Sequence, residues 1–108
     1  MKFELEGKEW EDRGNYRVMK VFDIATDSFV QIVEIRGRVG KHYHLNQTEV
    51  FTIMDGGGRL GIGDEVWDVK PGDVFLCRPE SVHFVESDFV RILVFKYGWK
   101  PDDTVWLE

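Results

Sequence analysis

The sequence holds a single cysteine, Cys77, which excludes an intramolecular disulfide. It has no apolar run near the ~18 residues that a membrane span requires, and its opening stretch MKFELEGKEWEDRG is too charged for a signal peptide. A cytoplasmic protein with no membrane partner is the expectation. Clustered basic residues are also missing. KHYH and RGR are short, and the formal net charge is −6. That argues against nucleic acid as a partner, because displacing its counterions takes grouped Lys and Arg. The acidity reads as solubility. No segment sustains a helical apolar stripe for ten residues without a breaker. No linker or low-complexity tract interrupts the chain, so residues 1–108 are expected to form one domain.

What remains is a series of short apolar runs rich in Val, Ile and Phe: YRVMKVFDI, FVQIVEI, EVFTIMD, RLGI, EVWDV, DVFL, HFVE and FVRILVFKY. Several alternate, as strands with one buried face do. Gly63-Asp64 forms a two-residue hairpin loop that tolerates positive φ. Pro71 and Gly72 occupy the positions of a type II turn. DGGGR at 55–59 marks a sharp turn or a close backbone approach. RGRVG is expected to end the FVQIVEI strand. Many short strands with frequent turns indicate an all-β sandwich or barrel.

Two of the three histidines lie one residue apart in GKHYHLNQTE. In a strand, i and i+2 share a face, so His42 and His44 point the same way. Glu49 opens the next run, and His83 begins a later one. Three imidazoles and a carboxylate suit a divalent transition metal (Mn, Fe, Co, Ni, Cu or Zn), one per chain. The spacing alone leaves a solvated strand edge equally open.

The two motifs around these residues resemble those of the cupin superfamily. Its first motif runs G-x5-H-x-H-x3–4-E-x6-G, matched here by His42, His44, Glu49 and Gly56. The leading glycine is displaced, with Arg36 at its position and Gly37 following. Its second motif runs G-x5-P-x-G-x2-H-x3-N. Gly72 and His83 match; Arg78 stands at the proline position with Pro79 beside it, Glu80 replaces the glycine and Ser87 the asparagine. The resemblance implies an all-β double-stranded β-helix, a jelly-roll barrel, with His42, His44, Glu49 and His83 as metal ligands. It also implies a homodimer. Trp10, Trp99 and Trp106, near the ends of the chain, serve either such an interface or the closing of the barrel.

Alternation extends the site. Phe51 and Ile53 share the face of Glu49, and Val85 shares that of His83; Cys77, by default a small buried hydrophobe, is a further candidate to touch the ligand. These four are the candidate pocket for a small-molecule ligand. Arg36, Arg38, Arg78 and Arg91 are candidates to hold an anion, Glu34 and Glu80 to act as a base, and Trp67 to stack on a sugar. Three functions fit: a metal-dependent dioxygenase, a metal-dependent sugar isomerase or epimerase, and a non-catalytic binder. The apolar wall favours oxygen chemistry. With three imidazoles near their ordinary value of about 6.5, metal affinity is expected to fall with more than one proton per pH unit below that value.

Overall fold

The computed structural model describes residues 1–108, and every regular element in it is a β-strand. The strands are β1 (Glu11–Asp12), β2 (Tyr16–Ala25), β3 (Ser28–His44), β4 (Thr48–Gly56), β5 (Gly58–Ile62), β6 (Glu65–Val69), β7 (Val74–Cys77), β8 (His83–Tyr97) and β9 (Thr104–Trp106). All pairings are antiparallel. The order is β1-β2-β3-β8-β4-β7, with β5 joining β8 to β6 and β9 joining β3. This is a double-stranded β-helix, and β7 remains an edge, so the sheet is not closed. No helix is long and apolar enough to cross a membrane.

Two long strands organise the sheet. β3 pairs with β2 along its first half and with β9 at its end. β8 pairs with β5 at its start and with β4 along the rest. The two pair with each other from Phe29↔Lys96 to His42↔His83. RGRVG therefore does not end a strand. β3 runs through it, and HFVE and FVRILVFKY likewise merge into β8. Register slips allow this. One falls between Ile35/Val90 and Gly37/Ser87, the other between Val39/Val85 and His42/His83. Each inserts one extra residue on one strand, and a one-residue slip exchanges the two faces. On β3 the inward set passes from Ile35 and Val39 to His42 and His44. On β8 it passes from His83 and Val85 to Val90, Ile92, Val94 and Lys96.

The core lies between the inward faces. Ile35, Val39, Phe51, Ile53, Leu60, Val69, Cys77, Val85, Val90, Ile92 and Val94 form one buried cluster. The turns follow their local chemistry, with Gly63 and Gly72 at φ 61° and 94° and the Asp73 N–H donating to Lys70 O at 3.1 Å.

Gly56, the last residue of the first motif, ends β4 against β8. Its φ is 79°, and a Cβ built there would lie 2.9 Å from the Phe89 carbonyl carbon. Both the conformation and the space require glycine. Gly56→Ala should destabilise the fold by at least about 2 kcal/mol, from the left-handed backbone and the clash together. Tm should fall by roughly 10 °C. An unchanged Tm by calorimetry would show that the strand ends tolerate the methyl group.

Candidate metal centre

The slip before His42 does more than reorient the strand. It leaves the Gly40 carbonyl free of the ladder register, and His42 Nδ1 lies 2.7 Å from that oxygen. His83 Nδ1 lies 2.9 Å from Ser81 O. A carbonyl only accepts, so both imidazoles carry a proton on Nδ1, which leaves Nε2 as the position for a metal or a second proton. His44 Nδ1 meets Thr104 Oγ1 at 2.9 Å. The three rings are buried and packed, with centroids 4.0 Å apart for His42 and His83, 5.1 Å for His44 and His83, and 5.3 Å for His42 and His44. One ligand atom from each lies within 4.8 Å of the others.

Glu49 enters from β4. Its Oε1 is 2.8 Å from His44 Nε2 and 3.4 Å from His83 Nε2. That oxygen is fully buried, and no well-aligned hydrogen bond reaches it. An orphaned carboxylate oxygen facing imidazole nitrogens is unfavourable unless a proton or a cation sits among them. The donor set, its burial and the second hydrogen bond on each ring all fit a metal ion.

The turns that place these groups are built locally. Ser81 N–H donates to Arg78 O at 3.2 Å, closing a turn with Pro79 and Glu80 at its centre. Glu80 has φ 67°, so the left-handed conformation is kept where the resembling motif has glycine. Pro79 in front of it sets the type II form, and the Glu80 N–H donates to His44 O at 2.7 Å. Between His44 and Glu49, the Asp103 carboxylate accepts from the Asn46 and Gln47 N–H groups at 2.9–3.1 Å.

The site opens on a cavity of about 130 Å³ lined by His42, His44, Glu49 and His83. Of the four expected pocket residues, Phe51 and Val85 line it. Ile53 does not, being 1% exposed and set in the core. Cys77 does not either. Its Sγ touches His83 at Nδ1 (3.3 Å), the ring edge turned away from the cluster. The four arginines lie elsewhere. Arg38 pairs with Glu108 and Glu86, Arg91 with Glu34, Arg36 covers the Phe89 ring and Arg78 is exposed. Glu34 is held by Arg17 and Arg91, and Glu80 is exposed, so neither candidate base reaches the cavity. Trp67 packs on Phe75. The sequence reading missed Trp106, whose ring lies 4.4 Å from His42, and Thr104. Both come from β9, which pairs with His42 and His44. It also missed Arg13, Tyr16, Gln31 and Lys96 in the cavity wall.

Residues 29–95 match the family model described as Cupin domain. The chain belongs to the cupin family. The uncharacterized protein MJ1618 of Methanocaldococcus jannaschii is 28% identical to this cupin over 81 residues, 71% of the chain. The chain spans about 65% of the length of that relative. Among solved structures, a Streptomyces PAC13 variant with uridine superposes at TM-score 0.81 and 13% identity, covering 100% of this chain and 90% of that one. KdgF from Halomonas sp. superposes at 0.78 and 19%, covering 93% and 94%. A predicted oxalate decarboxylase from Thermotoga maritima superposes at 0.80 and 16%, covering 89% and 97%. At these identities the likeness is one of fold.

Metal-free, the cluster divides its protons unequally. Burial lowers His42 to about 4, with repulsion from His83 adding to it. Burial also opposes charge on His83, but Cys77 and Glu49 outweigh it and raise that imidazole to about 10. Glu49 is held well below the usual carboxylate range: burial works to raise it, and His44, His83 and Lys96 overcome this. Between pH 5 and 8 this pair of histidines therefore carries one proton, not the two that unperturbed groups would share at the acid end. Imidazole ¹⁵N NMR of the metal-free protein should show His83 still protonated at pH 8 and His42 still neutral at pH 5. Glu49→Gln should bring the His83 value down. Both rings titrating together near 6.5 would contradict the coupling.

Proposed function

We propose that this cupin binds one divalent transition metal per chain through His42, His44, His83 and Glu49. We further propose that the site serves an O2-dependent reaction of the dioxygenase type on a small molecule. One observation carries the reading: Nε2 atoms and a buried carboxylate oxygen face one another, while the imidazoles' other nitrogens are already engaged. Mn, Fe, Co, Ni, Cu and Zn all suit nitrogen and oxygen donors. A redox-active ion held there would relay electrons from the substrate, which is oxidised, to O2, which is reduced.

The chain's own residues do the rest. Gly40 O, Ser81 O and Thr104 Oγ1 orient the imidazoles. Glu49 offsets part of the ion's charge. Phe51 and Val85 make the adjoining wall apolar, which keeps water from competing with a substrate. Glu49 is the cavity's sole carboxylate, and it is committed to the cluster. Sugar isomerisation by a free carboxylate base has no group to use, and this favours oxygen chemistry over it. The solved structures of like fold, PAC13 with uridine, KdgF and a predicted oxalate decarboxylase, differ from one another, so they carry no substrate to this chain.

Elemental analysis of protein purified without a tag should find about one transition metal per chain. His42→Ala/His83→Ala should lose it on dialysis, with a drop in affinity well beyond the 10–100-fold of a supporting contact. Full retention in the double variant would overturn the ligand set. A substrate panel with and without O2 tests the chemistry. Turnover that stops without O2 is expected, and turnover that continues anaerobically would overturn the dioxygenase reading. Ligand-dependent rises in Tm with no turnover would make the protein a binder instead.

A further inference from the structure

The cavity takes in two cations that the metal reading does not use. Lys96 stands at an inward position of β8, paired with Glu49 of β4 on one side and Phe29 of β3 on the other. Its side chain is 14% exposed, and the nearest carboxylate oxygen, Glu49 Oε2, is 4.0 Å from Nζ. That is beyond hydrogen-bond reach. Arg13, before β2, lines the same cavity and pairs outward with Glu11 at 3.0 Å. Gln31 and Tyr16 add uncharged polar groups to the wall.

The charges do not balance. Against Lys96 and Arg13 the cavity sets only Glu49, whose Oε1 is turned to the histidines. The lining is cationic before any metal enters, and a divalent ion makes it more so. A cleft of one sign with low-dielectric walls concentrates ligands of the other sign. No carboxylate comes within hydrogen-bond reach of the largely shielded Lys96 side chain, and an anion that accepts from its ammonium would fill that place.

We propose that the cavity binds a small organic carboxylate, with Lys96 and Arg13 donating hydrogen bonds to the carboxylate and Val33 and Ile35 packing against the rest. A neutral sugar could accept hydrogen bonds from the ammonium but would leave its charge unmatched. A phosphate dianion brings two charges, and Arg13 is already partly engaged by Glu11, so a singly charged group matches best. The proposal names the substrate class of the site read above as a metal centre, and rests on that reading for its catalytic meaning. The two cations themselves need no metal.

Lactate and its neutral counterpart lactamide are suitable probes, titrated by NMR into metal-free and zinc-loaded protein with inorganic phosphate as a third arm. Lactate should bind at least about tenfold more tightly than lactamide in both forms, the size of one charge-assisted hydrogen bond. Lys96→Met should reduce the preference severalfold, and Lys96→Arg should keep it. Should Lys96→Met not fold, Arg13→Gln tests the same charge at a more exposed side chain and should weaken lactate severalfold. Equal binding of lactate and lactamide, a preference undiminished by loss of the charge, or phosphate binding tighter than lactate would each overturn the proposal. Zinc retention on the same samples separates the two readings. Lys96→Met protein that holds zinc and prefers lactate as strongly as the wild type sinks the anion site alone. Wild-type protein that prefers lactate but holds no zinc sinks the metal reading alone.

Discussion

The pairing of β3 with β8 is the constraint on which the other features rest. His42 and His83 are cross-strand partners only because β3 takes up one extra residue after Val39. Without that residue the inward set would continue through Lys41 and Tyr43, and both motif histidines would face outward. The same slip places the Gly40 carbonyl where His42 Nδ1–H can reach it. The opposite slip, on β8 between Val85 and Val90, brings Lys96 to the inner face. Two departures from regular pleating thus select the polar groups that enter an otherwise apolar interior.

Those polar groups are mutually unfavourable without a counterpart. Glu49 Oε1, buried among imidazole nitrogens, has no aligned donor, and burying such an oxygen unpaired costs about 1–3 kcal/mol or more. In the metal-free chain the raised His83 proton is the counterpart. A divalent ion would displace it. Proton and metal are alternatives for one position, and the surrounding hydrogen bonds from Gly40, Ser81 and Thr104 hold the rings ready for either. Rigid orientation of this kind lowers the reorganisation that binding requires.

The four cluster residues were legible because their information is local. A spacing of two in a strand fixes a shared face, and Glu49 and His83 occupy the motif positions of the resembling family. The pocket was less legible. Ile53 shares the face of Glu49 and Phe51, but four residues along a strand carry it well over 10 Å from Glu49, into the core cluster. Cys77 pairs with Glu49 across β7 and β4, yet its sulfur meets the far edge of His83. Lys96, Arg13, Thr104 and Trp106 left no local signal. Lys96 shares its face with Val90, Ile92 and Val94, but which face of FVRILVFKY turns inward depends on the β8 slip, which alternation alone does not reveal. Thr104 and Trp106 depend on β9 returning to β3 across some sixty residues of chain. Glu80 is the reverse case. The sequence departs from the family's glycine there, and the structure keeps the turn, because Pro79 and the bond to His44 O hold it.

X-ray absorption at the edge of the bound metal tests the central claim most directly, because it reads the ligands without reference to activity. Protein loaded with one equivalent of zinc should show a first shell of nitrogen and oxygen at about 2.0–2.2 Å with no sulfur at ~2.3 Å. The outer-shell scattering should fit three imidazoles. Two imidazoles or fewer, or a sulfur contribution from Cys77, would contradict the assignment of His42, His44, His83 and Glu49 to one ion.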